Sequence, residues 1–299
     1  MTDLHRVVTE LAVQRDLPAR PLVRLAGHAT GIWRVGEVVI RLAPASDAHA
    51  QYTALHLTRW LLSHGVKVTQ PLDVDQPVIH SGYAATFWRY YDQGHGRGEP
   101  PAHHLGSLLR QLHTVMGSPP VELPTYQPLA SLERAIAASR HLSVEDRTWL
   151  THRRAELLHA YHRLEFPLGW GLIHADAYPG NTLWDGDQVR LSDWDEAAYG
   201  PRELDLANTV HGQRRFGRTH SEVAAFIGAY GHDPRKWPGL TVLLDMRDLH
   251  TLGAYIRRAE TGDPTATTQL AHRIQTLRRG STEPWTVATV HAHAHERLY

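Results

Sequence analysis

The apolar pattern of the chain changes period once, at a Gly/Pro-rich stretch, DQGHGRGEPP, residues 92 to 101. Before it, from Pro21 to Tyr91, apolar residues come in short runs separated by turn residues (VRLA, IWRV, VVIRLA, PVIH, YAATFWRY), the pattern of strands. IWRV and VVIRLA, joined at Gly36-Glu37, predict a hairpin. Two helices are interposed. One carries Leu4, Val7, Val8 and Leu11 at helical spacing; the other starts at Ser46-Asp47, places Ala50, Ala54, Leu57 and Leu61 on one face and stops near Gly65. After the break the helical period dominates: Leu105, Leu108, Leu109 and Leu112 form one stripe, and further helices are predicted over 143–165, 202–213, 220–230, 238–259 and 264–279. The exception is 171–194, where GLIH, NTLW and VRLSDW read as small strands carrying a loop. The expected class is α+β in two lobes, a small strand-rich lobe over 1–91 and a larger helical lobe over 92–299 with one polar hairpin.

At 299 residues and 42% hydrophobic content the chain can fill cores in both lobes. It has no cysteine, which excludes disulfides, thiolate metal sites and cysteine nucleophiles. Its 31 basic and 31 acidic residues balance, so it lacks the electrostatic footprint of a nucleic-acid binder or a polybasic membrane contact, and a small-molecule partner is expected. No apolar run approaches the ~20 residues of a membrane span, and MTDLHRVVTE is charged where a signal peptide would be apolar, so the expected location is cytoplasmic. Near the end, His291, His293 and His295 alternate in HAHAH; on a strand they would share a face and could bind Zn²⁺ or Ni²⁺, while a polar tail is the plainer reading.

Phosphoryl transfer to a hydroxyl requires a carboxylate beside the attacking oxygen, oxygen ligands for Mg²⁺ and a cover over the nucleotide phosphates. In IHADAYPGNTLWDGDQVRLSDWDEAAYG, residues 173 to 200, His174, Asp176 and Asn181 fit the spacing H-x-D-x-x-x-x-N, and Asp193 ends the apolar run VRLS where a second metal carboxylate is needed. Pro179-Gly180-Asn181 could also be an ordinary turn.

The motif HADAYPGNTLW, followed by LSDWDEAAYGPRELDLA, resembles the aminoglycoside phosphotransferase family, small-molecule kinases of the protein-kinase-like fold. GHATGIWRV before VVIRLA, WLLSHGVKV and LGSLLRQLH extend the likeness over most of the chain. The resemblance implies that Asp176 orients the acceptor hydroxyl and takes its proton, with His174 buttressing the loop. It implies that Asn181 and Asp193 hold Mg²⁺ and that Asp205 ties the catalytic loop's backbone in place. Gly27 and Gly31 would flank a phosphate-covering turn, although hairpins need glycines anyway. On the third strand Arg41 stands where lysine is usual, as a phosphate contact or an ordinary surface arginine. Phe87 to Tyr91, including Tyr90, would form the hinge that reads the purine, with ATP and GTP both open as donor.

One departure stands out. From Val38 to Leu72 the only acid is Asp47, so the helix glutamate that usually pairs with the strand cation is missing, and Gln51 is the nearest polar substitute. Asp195 and Glu196 either meet a substrate or face solvent, and Trp194 is expected in the core. Trp237, Asp245, Asp248 and His250 lie where such kinases place acceptor contacts. The expected function is phosphorylation of an antibiotic or another small hydroxyl compound, with resistance or self-protection as its purpose; a kinase of a sugar, aminosugar or amino-alcohol metabolite, a nucleotide-binding pseudokinase and a metal-binding protein are the rival readings.

Overall fold

The computed structural model describes residues 2–17, 20–26, 31–94 and 96–286; Gly27 and the three histidines of HAHAH lie outside them. Helix α1 (Thr2–Gln14) buries Val7, Val8 and Leu11 against Trp33, Ile40, Leu42 and Phe87 of a five-stranded antiparallel sheet. That sheet comprises β1 (Val23–Ala26), β2 (Ile32–Val35), β3 (Val38–Pro44), β4 (Val78–His80) and β5 (Tyr83–Arg89), in the spatial order β1-β2-β3-β5-β4. The predicted hairpin is β2–β3, with Val35 opposite Val38 and Ile32 opposite Arg41. Strand alternation decides where Arg41 goes. Ile40 and Leu42 face α1, whereas Val39 faces Leu55 of helix α2 (Ala48–Ser63), so Arg41 emerges on the α2 side.

β5 ends at Arg89, and the next helix begins at Ala102. The larger lobe contains α3 (Ala102–Thr114), α4 (Ala130–Ala138), α5 (Val144–Tyr161), α6 (Glu203–Arg215), α7 (His220–Tyr230), α8 (Leu240–Glu260) and α9 (Pro264–Arg278). Helix α8 is its spine, sharing Leu243, Met246, Leu249, Leu252 and Ile256 with α4, α5 and α9 in one core. A second core combines Leu57 and Leu61 of α2 with Leu105 and Leu109 of α3 and Phe226 of α7, so α2 couples the two lobes through packing. Gly106 permits the close approach of α3 and α7, because a Cβ there would lie 2.3 Å from the Phe226 carbonyl oxygen.

Between α5 and α6 lie β6 (Trp170–Ile173), β7 (Thr182–Asp185), β8 (Gln188–Leu191) and β9 (Ala198–Pro201). Here the single expected hairpin is two ladders: β7 pairs with β8, and β6 pairs with β9. The end of the described chain is strapped down by charge. Buried Arg215 donates two bonds to Asp248, at 2.8 and 2.7 Å, reaches the carbonyls of Ser281 and Glu283, and lies over the Trp285 ring. Among the described residues no helix is long and apolar enough to cross a membrane.

Candidate active site

The loop after β6 is locked from behind. Asp205, fully buried in the first turn of α6, accepts the backbone N–H of His174 at Oδ2 and that of Ala175 at Oδ1, both at 2.8 Å. His113 of α3 reaches the same Oδ2 at 3.0 Å and is tied in turn to the Tyr230 hydroxyl. These bonds hold Ala175 at a φ of 66°, a left-handed conformation that costs an alanine about 1–2 kcal/mol. Asp176 follows with its side chain partly exposed.

The histidine ring is buried. Its Nε2 meets the Ser192 carbonyl at 2.8 Å, and its ring makes an edge contact with buried Trp194, so His174 couples this loop to the DWD segment. Asn181 closes the short turn Pro179–Asn181 and donates Nδ2 to the Asp176 carbonyl at 2.9 Å and, at 3.4 Å, to the Asp176 carboxylate. Its own carbonyl accepts both the N–H and the Oγ–H of Ser192, which brings Asp193, the next residue, alongside. Asp193 takes a φ of 64°, a second strained non-glycine position, and such strain concentrates at functional sites. Gly180 completes the loop. A Cβ there would lie 2.3 Å from the Tyr178 ring, so glycine lets that ring cross the loop at the mouth of the site. Desolvation and the nearby Asp176 and Asp193 charges push the Tyr178 hydroxyl up to about 12.

Arg41 enters from the sheet. Its Nη2 donates to Asp193 Oδ1 at 3.0 Å and to Asp195 Oδ2 at 2.5 Å, linking the lobes across the cleft. Asp195, considered above for an acceptor, is thus committed to Arg41 and, at 3.3 Å, to Gln51 Nε2. Gln51 itself makes its bond to Asp195, so the acid that α2 lacks is supplied from the other lobe. Burial opposes the guanidinium charge, yet two adjacent carboxylates outweigh it and raise Arg41. Asp195 moves upward too, through burial and the neighbouring Asp193 charge, with Arg41 opposing. Two acids share one cation here, so the trio carries an excess negative charge.

That excess, together with hard oxygen donors, fits a divalent cation. Among the described residues nothing donates to Asn181 Oδ1 or to the second oxygen of Asp193. Two protein ligands are what Mg²⁺ takes when nucleotide phosphates and water complete its shell. Among the described residues no cluster of three His, Asp or Glu side chains forms a self-sufficient metal site.

Other expected residues fall elsewhere. Gly31 has a φ of 107°, and its carbonyl accepts from Leu42 N–H at the β2–β3 pairing. The N–H of Tyr90 donates to the Glu37 carbonyl and its ring lies beneath Arg34, so that amide is not available to read a purine. Glu196 is exposed at the rim; desolvation and the charges of Asp176, Asp195 and Asp193 raise its carboxyl, with Arg247 opposing. Trp237 packs on Phe166, Asp245 pairs with Arg153 and Arg214, and Asp248 is fully buried in the Arg215 network, which removes Asp248 from acceptor contact. His250 lines a small cavity beside Ala175, with Arg247 and Asn208. Sequence reasoning passed over Arg247, whose Nη2 lies 2.5 Å from Asp176 Oδ1. Its signal was an arginine sharing a helix face with Leu243, Met246 and His250.

The family whose profile matches this sequence is the phosphotransferase enzyme family, over residues 27–242. No curated protein is matched by sequence. Among solved structures, an amicoumacin kinase in complex with AMP-PNP, Ca²⁺ and Ami superposes with a TM-score of 0.71 at 14% identity, covering 95% of this chain and 96% of its own. A choline/ethanolamine kinase family protein from Mesorhizobium loti gives 0.66 at 15% identity, with 92% and 93% covered. The GDP complex of aminoglycoside 2'-phosphotransferase-IIIa gives 0.62 at 16%, with 94% and 99% covered. These likenesses show a shared bilobal kinase-like fold.

Proposed function

Because the chain belongs to the phosphotransferase enzyme family and is a small-molecule kinase, we propose that it transfers the terminal phosphoryl group of ATP or GTP, with Mg²⁺, to a small-molecule hydroxyl, with Asp176 as the base. The observation that carries this reading is the connected cluster Asp176–Asn181–Ser192–Asp193–Arg41, which joins both lobes at one cleft. Asp176 orients the hydroxyl and receives its proton as the oxygen–phosphorus bond forms and the bond to the nucleoside diphosphate breaks. Asn181 and Asp193 would hold Mg²⁺, which supplies positive charge against the phosphates when bound. Arg41, a permanently charged fork, would exchange a carboxylate for phosphate oxygens. His174 and Asp205 act as positioning residues.

Solved relatives in fold are described with AMP-PNP in one case and GDP in another, which supports a purine nucleotide donor. The acceptor reading is an antibiotic, aminoglycoside, nucleoside or otherwise sugar-bearing, with resistance or self-protection as the purpose. The amicoumacin and aminoglycoside kinases among the similar structures support it. A metabolite kinase is the second reading, supported by the comparable likeness to a choline/ethanolamine kinase family protein. A mass-shift screen of ATP and GTP against aminoglycosides, nucleoside antibiotics and aminosugars tests the proposal. A phosphorylated acceptor whose formation needs Mg²⁺ supports it; transfer that proceeds equally with excess chelator refutes the metal assignment.

A further inference from the structure

A small cavity of about 20 Å³ lies where Ala175 of the loop meets α6 and α8, lined by Tyr126, Ala175, Asn208, Arg247 and His250 among others. It has room for a single small polar group, not for a ring. Its polar lining is rich in donors. Asn208 of α6 is 8% exposed, and its Nδ2 has no hydrogen-bond partner among the described residues. A buried N–H without a partner is costly, which marks it as a site for an incoming acceptor atom. Tyr126, raised to about 12 chiefly by burial, keeps its hydroxyl proton. His250, pushed down to about 3 by burial and by Arg247, Arg257 and His211, adds a neutral ring.

Arg247 sets the constraint. Its guanidinium lies 2.5 Å from Asp176 Oδ1, while Oδ2 is 3.4 Å from Asn181 Nδ2, so neither oxygen of the base is clear of a donor. While Arg247 occupies Oδ1, part of the carboxylate's accepting capacity is taken, and an approaching hydroxyl must share the group with the guanidinium. A partly buried guanidinium leaves one carboxylate readily only for another anion of matching geometry.

We propose that the acceptor carries a carboxylate besides its hydroxyl, and that Arg247 and Asn208 Nδ2 bind this carboxylate, freeing Asp176 as the substrate enters. The inference rests on the phosphotransferase reading in taking Asp176 as the base. It narrows the acceptor class to hydroxy acids and amphoteric compounds and disfavours polycations that lack an acid.

Matched probes test it: D-glycerate, its amide and glycerol 1-phosphate, titrated by ligand-observed NMR into the full chain with Mg²⁺ and AMP-PNP. Glycerate should bind about tenfold or more tightly than the amide, and Arg247→Ala and Arg247→Gln should remove that preference. Arg247→Lys should retain part of it, and Asn208→Leu should weaken glycerate several-fold while leaving Arg247 in place. Equal binding of acid and amide, no binding of glycerate, tighter binding of glycerol 1-phosphate, or an acid preference that survives Arg247→Ala each overturns the proposal. The two readings fail separately. A neutral or cationic acceptor phosphorylated equally well by wild type and Arg247→Ala sinks the carboxylate subsite alone, whereas no Mg²⁺-dependent transfer from ATP or GTP to any acid, neutral or cationic acceptor sinks the phosphotransferase reading.

Discussion

Arg41 Nη2 lies 2.5 Å from Asp195 Oδ2, so the acid that steadies the strand cation comes from the DWD segment and not from helix α2. Gln51 of that helix supports the arrangement through Asp195 Oδ1. Asp195→Ala should therefore raise the nucleotide KM by about tenfold, since one partner of a half-buried charge pair is lost, with kcat changed less. Gln51→Leu should act in the same direction by about two- to threefold, as befits one neutral hydrogen bond at 3.3 Å. Steady-state kinetics over a nucleotide series separates the two effects; a KM unchanged in both variants contradicts the assigned pairing.

Asp205 stabilises the loop without touching substrate. Its carboxylate accepts from two loop amides and from His113 while fully buried. Asp205→Asn replaces an acceptor oxygen with a donor facing an N–H, and should cost about 3 kcal/mol of stability and lower kcat about 100-fold. Thermal unfolding and kcat should fall together, with the nucleotide KM close to wild type.

Ala175 sits at a φ of 66° with its N–H bonded to Asp205. Glycine enters that region without the Cβ clash but loses more chain entropy, so Ala175→Gly should be neutral or stabilising by up to about 1 kcal/mol. Ala175→Val, β-branched, should destabilise by about 2 kcal/mol or more and displace Asp176. Paired melting curves and activity assays read both outcomes.

Acid should weaken the helical lobe in a defined window. Burial lowers His250 to about 3 and, against its bond to Asp248, lowers His211 as well, so His250 stays neutral in the fold and His211 takes up a proton less readily than the unfolded histidines, which titrate near about 6.5. The unfolded state then binds more protons below that pH, and stability falls as pH falls. Burial alone would raise Asp248, but bonds from His211 and Arg215 hold it below its usual range, so its contribution is present above about 4 and is lost only in stronger acid. The melting temperature should drop by several degrees between about pH 7 and pH 5, and His250→Gln should flatten that drop. An unchanged slope in the variant would show that His250 titrates freely.

Local signals were legible in the sequence, and long-range ones were not. Helix α7 was readable to the residue because Thr219 and Glu222 form a capping box and Gly231 closes it in the left-handed conformation. The α4 helix was missed: it has nine residues, starts after Leu129 at a φ of 57° and has no side-chain cap. β9, Ala-Tyr-Gly-Pro, lacks the β-branched signature and exists by pairing with β6 across the intervening loop. In the site, His174, Asp176, Asn181 and Asp193 declared themselves through spacing within one loop. The partners of Asp176 and Arg41 did not, because Arg247 and Asp195 reach them from 71 and 154 residues away.

The central claim is that Asp176 is the base for phosphoryl transfer to a hydroxyl. Replacing Asp176 by Asn keeps the shape and removes the base, and the rate of product formation with a phosphorylated acceptor from the screen measures the consequence directly. The account predicts a fall in kcat of about a thousandfold with the nucleotide KM little changed. A variant that transfers phosphate within a few-fold of the wild-type rate contradicts it.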